Sequence, residues 1–261
     1  MERLLGPSDP PAVELFDEHG KAPVLVTCDH ASNRVPQILA GLGLSHADLR
    51  LHIGWDIGAA GVTRWLAKRL DALAILAGYS RLVVDCNRDV ADTTSMPAVS
   101  DGVRIPGNEG LSEGTRQQRI AAMFQPYHRA IERALDRFAS RRVHPAVLSI
   151  HSFTPAMNGM ARPWHVGVLW DKDPRIPVPL LAALRRESGL AVGDNEPYSA
   201  REPAGFTVRT HAVGRGLPHV ALEIRQDLIA DVAGEREWAD RLARVLTPIL
   251  EDPALYHVKH Y

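Results

Sequence analysis

His30, His151 and Glu223 each stand at or near the end of an apolar run, and together they could bind a divalent ion and move a proton. Two histidines with a carboxylate nearby are a common zinc donor set, and a catalytic zinc keeps a further position for water. Zinc lowers the pKa of such a water to about 7 and polarises a carbonyl. A carboxylate outside the donor set can then take the water's proton and hand it to a leaving amine. Glu223 is the candidate for that role, because a carboxylate inside an apolar strand is costly unless it is paired or coordinated. The competing reading is an ion pair between Glu223 and Arg225 or another base. Asp56 precedes a helical pattern, so it is either an N-cap or a metal donor. Asn87 and Arg88 set an amide beside a planar guanidinium fork, which suits a substrate carboxylate; the plainer alternative is a solvated turn.

These residues need elements to bring them together. Four strand-like runs end in them: Val24 to Val26 before His30, Arg81 to Cys86 before Asn87 and Arg88, Ala146 to Ile150 before His151 and Ser152, and Val220 to Ile224 around Glu223. Such runs read as strands buried on both faces, and polar groups at their C-terminal ends sit where open α/β sheets bind ligands. Further strands are expected at Ala74 to Gly78 and His165 to Leu169, with an edge strand over Phe206 to Val213. Helical periodicity covers Ile57 to Leu73, Ser112 to Arg142 with an interruption at Pro126, Pro179 to Ser188, and Glu235 to Leu250. Along Ser112 to Arg142 the stripe of Ile120, Phe124, Tyr127, Ile131 and Leu135 reads as core, and His128 as a hydrogen-bonded surface histidine. Residues 89–111 read as a long loop, and 1–22 as an extended arm before the first sheet strand. Strands alternating with helices indicate an α/β fold.

With 261 residues and 45% apolar composition, one large core and a single domain over 1–261 are expected. Lys plus Arg (30) nearly balance Asp plus Glu (31), which gives no reason to expect nucleic acid or an anionic membrane as partner, so a small molecule fits better. Neither an apolar leader nor a membrane-length apolar run is visible, and a cytoplasmic location is expected. The two cysteines, Cys28 and Cys86, read as buried structural thiols. No glycine-rich phosphate loop, GxSxG elbow or zincin histidine pair is present, which argues against those enzyme classes.

The chain resembles the N-formylglutamate amidohydrolase family. The matching pieces are Cys28-Asp-His-Ala-Ser-Asn-Arg-Val-Pro36, Trp55-Asp-Ile-Gly-Ala59, Tyr79-Ser-Arg-Leu-Val-Val-Asp-Cys-Asn-Arg88, Ile105-Pro-Gly-Asn108, Tyr127-His128, Ile150-His-Ser-Phe153, Asn195-Glu-Pro-Tyr198 and Glu223-Ile-Arg-Gln-Asp-Leu228. That family is in turn similar in fold to the zinc carboxypeptidase and aspartoacylase group. The resemblance implies a three-layer fold with a mixed, mostly parallel sheet of the eight-stranded type and helices on both faces. It implies one zinc ion, with His30 and His151 as ligands, Glu223 as general base, and Asn87 and Arg88 as the anchor of the substrate carboxylate; Arg225 and Ser152 are also expected to contact substrate. The wider group often has a glutamate three positions after its first histidine, where this chain has Asn33. Either Asp56 takes that place as the third ligand or the metal is held differently; Asp56 is favoured. The activity so implied is hydrolysis of an N-formyl or small N-acyl amino acid, first of all N-formylglutamate. A zinc peptidase on small peptides and a non-catalytic carboxylate-binding protein are the alternatives.

Overall fold

A computed structural model gives the fold of residues 3–201 and 205–261. Its strands are β1 (Val13–Phe16), β2 (Val24–Cys28), β3 (Leu73–Ala77), β4 (Val99–Ser100), β5 (Val103–Arg104), β6 (Ala146–Phe153), β7 (Ala156–Met157), β8 (Met160–Ala161), β9 (Val166–Leu169), β10 (Val192–Asp194) and β11 (His219–Arg225). Its helices are α1 (His46–Leu49), α2 (Ala59–Leu70), α3 (Glu113–Arg119), α4 (Gln125–Ser140), α5 (Pro177–Leu184), α6 (Phe206–His211) and α7 (Val232–Leu250). Seven strands make the main sheet in the order β1-β3-β2-β6-β11-β9-β10. The central β3, β2, β6 and β11 are parallel, while β1 runs antiparallel to β3 and β9 antiparallel to β11. This is the expected mixed, mostly parallel α/β sheet, with seven strands among the described residues rather than eight.

Burial on both faces explains the apolar runs. All five residues of β2 and all eight of β6 are buried. Alternation along each strand sends Val24, Val26, Leu148 and Ile150 to a core shared with α2, α5 and α7, and Leu25 and Val147 to a core shared with α4. Helices therefore cover both faces. Asp231 caps α7 by accepting the Gly234 N–H at 2.8 Å, and Trp238, Leu242 and Leu246 turn inward over α2. Each such buried side chain contributes roughly 1.5–3 kcal/mol. No helix among the described residues is long and apolar enough to cross a membrane.

Three sequence expectations give way. Arg81 to Cys86 is a buried loop, not a strand. Its apolar Leu82, Val83 and Val84 enter a third core with Met96, Ile105 and Met123, and distant side chains satisfy its backbone. Asn108 Nδ2 donates to the Leu82 carbonyl at 2.8 Å, and the buried Arg119 donates to the Val83 carbonyl at 3.2 Å and to Asn108 Oδ1 at 2.6 Å. The same contacts fix much of 89–111, whose Met96 and Ile105 are core residues. Phe206 to His211 is helix α6, not an edge strand. Its β-branched run favours a strand locally, but the Asn87 carbonyl accepts the Phe206 N–H and Asn87 Oδ1 accepts the Thr207 N–H, capping a helix from 120 residues away. His128 is buried rather than on the surface. Two smaller adjustments follow from packing: a π turn over Ile120–Phe124 carries the helix through Pro126, and Val13–Phe16 joins the sheet edge from within the supposed arm.

Candidate active site

Two strands and two loops build the site. β6 delivers His151 on the face opposite Leu148 and Ile150, and β11 delivers Glu223 directly across from it in the parallel ladder. His30 lies two residues past the end of β2. Asp56 reaches in from the loop before α2, and its N–H donates to the His30 carbonyl at 3.0 Å, tying the two loops. The helix itself begins behind Gly58, whose φ of 78° suits glycine and whose missing Cβ leaves room for the Ile229 carbonyl. Asp56 is therefore not the N-cap. Its Oδ2 faces His151 Nδ1 at 2.9 Å and His30 Nδ1 at 3.3 Å, and one donor atom from each of the three lies within 4.8 Å of the others.

The far side of each imidazole is fixed by buried groups. His30 Nε2–H donates to Asp85 Oδ1 at 2.7 Å. His151 Nε2 lies 3.1 Å from Ser149 Oγ and 3.2 Å from Asp29 Oδ2. Such partners set the ring orientation and leave Nδ1 to face a cation, the arrangement usual for metal-binding histidines. Asp29 is itself braced, accepting from Tyr127 at 2.8 Å and Thr207 at 2.6 Å on Oδ1. Burial opposes charge throughout, yet His30 and His151 hold Asp56, and Arg81 and His30 hold Asp85, far below the usual carboxylate range, and Asp29 and Asp56 push His151 well up. Glu223 behaves oppositely. Burial, with Asp56 adding to it, raises it to about 7, and its Oε2 has no hydrogen-bond partner among the described residues.

The remaining expected residues divide. Arg88 is exposed at the rim, 3.7 Å from Asp85, and Asn87 beside it spends Oδ1 on α6. Ser152 and Arg225, expected on substrate, are engaged inside the protein. Ser152 donates its N–H to Asp56 at 3.3 Å and its hydroxyl to the Ile57 carbonyl at 2.8 Å, bracing the loop that carries Asp56. Arg225 pairs with Asp227 at 2.7 Å and not with Glu223: its guanidinium is turned to Asp227 and to the carbonyls of Arg162, Pro163 and Trp164. The sequence reading missed Arg81, which donates to Asp85 Oδ2 at 2.8 Å and holds Nη1 3.5 Å from Asp56 Oδ1. It also missed Asp29 and Asp85; the signal was present in the Asp-His pair and in the carboxylate two residues before Asn87. Cys28 and Cys86 are buried with their thiols pushed up by desolvation, which keeps them protonated and structural.

Behind the site His128 Nε2–H donates to the Cys86 carbonyl at 2.9 Å, so its Nδ1 must accept, at 2.8 Å, from His211 Nε2–H on α6. Burial lowers both histidines from 6.5 to about 4. Above pH 6.5 neither state of the protein charges them; between 6.5 and 4 the unfolded chain takes protons that the folded chain refuses, so stability falls across that window. Urea midpoints followed by circular dichroism should drop over this range in the wild type. The slope should be shallower in His211→Gln, which keeps a donor toward His128 but does not titrate.

The family model for N-formylglutamate amidohydrolase matches residues 22–230. A curated N-formylglutamate deformylase from Pseudomonas aeruginosa is 27% identical over 146 residues, 52% of this chain and 53% of that protein. The match thus spans about half the length of that relative. A crystal structure of a gene product from Agrobacterium tumefaciens is 35% identical, with a TM-score of 0.92 over 95% of this chain and 98% of that one. That of an N-formylglutamate amidohydrolase from Ralstonia eutropha, 21% identical with a TM-score of 0.62 over 92% of this chain and 96% of that one, shares the fold.

Proposed function

We propose, for a chain that belongs to the N-formylglutamate amidohydrolase family, hydrolysis of the amide of an N-formyl or small N-acyl amino acid, with N-formyl-L-glutamate giving formate and glutamate as the leading substrate. The observation that carries this reading is the convergence of His30, Asp56 and His151 with Glu223 set across the ladder from His151. Two imidazoles and one carboxylate, each imidazole held from behind, fit a zinc ion better than a hard, oxygen-seeking cation. When bound, such an ion acidifies a water and polarises a carbonyl.

The chain's own groups do the rest. Glu223, desolvated and with a free oxygen, accepts the proton of the attacking water and passes it to the amide nitrogen as the C–N bond breaks. Arg81 places a permanent cation beside Asp56, where it donates to the carbonyl oxygen as negative charge develops. Asp85 holds both that guanidinium and His30, so the polarising group and one metal donor share a single support. Arg88 and the Asn87 amide nitrogen bind the α-carboxylate at the rim. Protein purified without added metal should carry about one zinc per chain and release formate from N-formylglutamate. Release of amine from dipeptides in preference would favour a peptidase, and turnover surviving complete metal removal would count against the mechanism.

A further inference from the structure

Past His151 on the same face of β6 comes Phe153, and the Arg162 guanidinium lies over that ring at 5.9 Å. Arg162 also stacks on Tyr198 at 5.0 Å and donates to Tyr198 Oη at 3.1 Å, to Thr154 Oγ1 at 3.2 Å and to Met157 Sδ at 2.8 Å. All three acceptors are neutral, and among the described residues no carboxylate pairs with this arginine. A guanidinium held in a fixed pose by aromatic faces and neutral oxygens keeps its charge for an anion from outside.

The surroundings direct that charge at the site. Gly167 stands opposite Glu223 in the antiparallel ladder, and a Cβ there would collide with the Glu196 carbonyl and lie 3.5 Å from Glu223 Cβ. The loop leading to Tyr198 therefore runs beside Glu223 because Gly167 has no side chain. Tyr198 is 39% exposed, yet its phenol is raised in pKa first by lost hydration and then by Glu223 and Asp56. Arg225 donates to the carbonyls of Arg162, Pro163 and Trp164 at 3.3–3.4 Å, so it supports the backbone that presents Arg162. The Tyr198 oxygen accepts from Arg162, which leaves its O–H to donate to the same incoming group.

We propose that Arg162, assisted by Tyr198, anchors a second carboxylate of the substrate, the side-chain carboxylate of an acidic N-acyl amino acid. Arg88 arrives from the buried loop after β3 and Arg162 from the segment between β8 and β9, so two cations on separate supports meet the two anions of one dicarboxylate. The inference rests on the amidohydrolase reading for the identity of the ligand. It specifies which residue selects glutamate-like over neutral amino acids.

The test is calorimetric binding of L-glutamate and L-glutamine, which differ in that one group, to zinc-loaded wild type, Arg162→Met, Arg162→Lys and Tyr198→Phe. Hydrolysis of the two N-formyl derivatives is followed in parallel. The wild type should prefer glutamate by about 10- to 100-fold, the worth of one charge-assisted contact. Arg162→Met should bind the two ligands alike at the wild-type glutamine affinity, Arg162→Lys should regain part of the preference, and Tyr198→Phe should lose a smaller part. A preference unchanged in Arg162→Met, or no preference in the wild type, overturns the anchor. Equal loss of both ligands in folded Arg162→Met shows a structural brace and overturns it too. If the preference follows Arg162 but neither formyl compound is hydrolysed, the anchor stands and the amidohydrolase reading fails.

Discussion

Glu223→Gln is expected to lower kcat by about 10²- to 10⁴-fold, the range supplied by a positioned general base, while zinc content stays at the wild-type level. The substitution keeps the size and the cross-strand place opposite His151, and Glu223 is not among the three converging donors. It removes the carboxylate's negative charge and with it the capacity to take a proton. The same change should raise the melting temperature of the metal-free protein at pH 8, where the wild type buries a carboxylate with an oxygen that no described residue bonds. A group that weakens the fold and is kept for its chemistry is the usual signature of a functional trade-off. Near-normal turnover in the variant would remove Glu223 from the role assigned to it, and zinc loss would recast it as a ligand.

Asp56→Asn should weaken zinc binding by at least about 100-fold, since changes to the mere supports of metal ligands already cost 10- to 100-fold. Asp56 is the one anionic donor of the three, and its Oδ2 is the point on which His30 Nδ1, His151 Nδ1 and the Ser152 N–H converge. An amide of the same shape offers a neutral oxygen and brings Arg81, 3.5 Å away, next to a group that no longer balances it. Competition against a chromophoric chelator reads the affinity directly. Wild-type affinity in the folded variant would mean that the ion is held elsewhere.

The parts of the site that the sequence showed are those set by periodic burial. β2, β6 and β11 are apolar runs buried on both faces, so the polar residues at their ends stand out, and His30, His151 and Glu223 were found that way. Asp56 could be narrowed only to cap or ligand; the choice depends on Gly58 beginning the helix two residues later. What stayed hidden depends on partners distant in the chain. The Arg81 to Cys86 run is as apolar as a strand, and only Asn108 and Arg119, 26 and 36 residues from the carbonyls they bond, make a buried loop possible there. Likewise α6 follows from a cap 120 residues away. Arg225 and Arg162 look equally available in the sequence; Asp227 occupies the first, and only the fold leaves the second facing neutral acceptors.

Six residues make a helix too short to hold its shape alone in water, so the order of α6 is borrowed from what grips it. Its first turn is gripped twice, by Asn87 at the rim where substrate would rest and by the Asp29 carboxylate that steadies a histidine. Thr207 thus ties the Asn87 rim to the Asp29 carboxylate through a single residue, and a side chain cut from either partner would misalign the other.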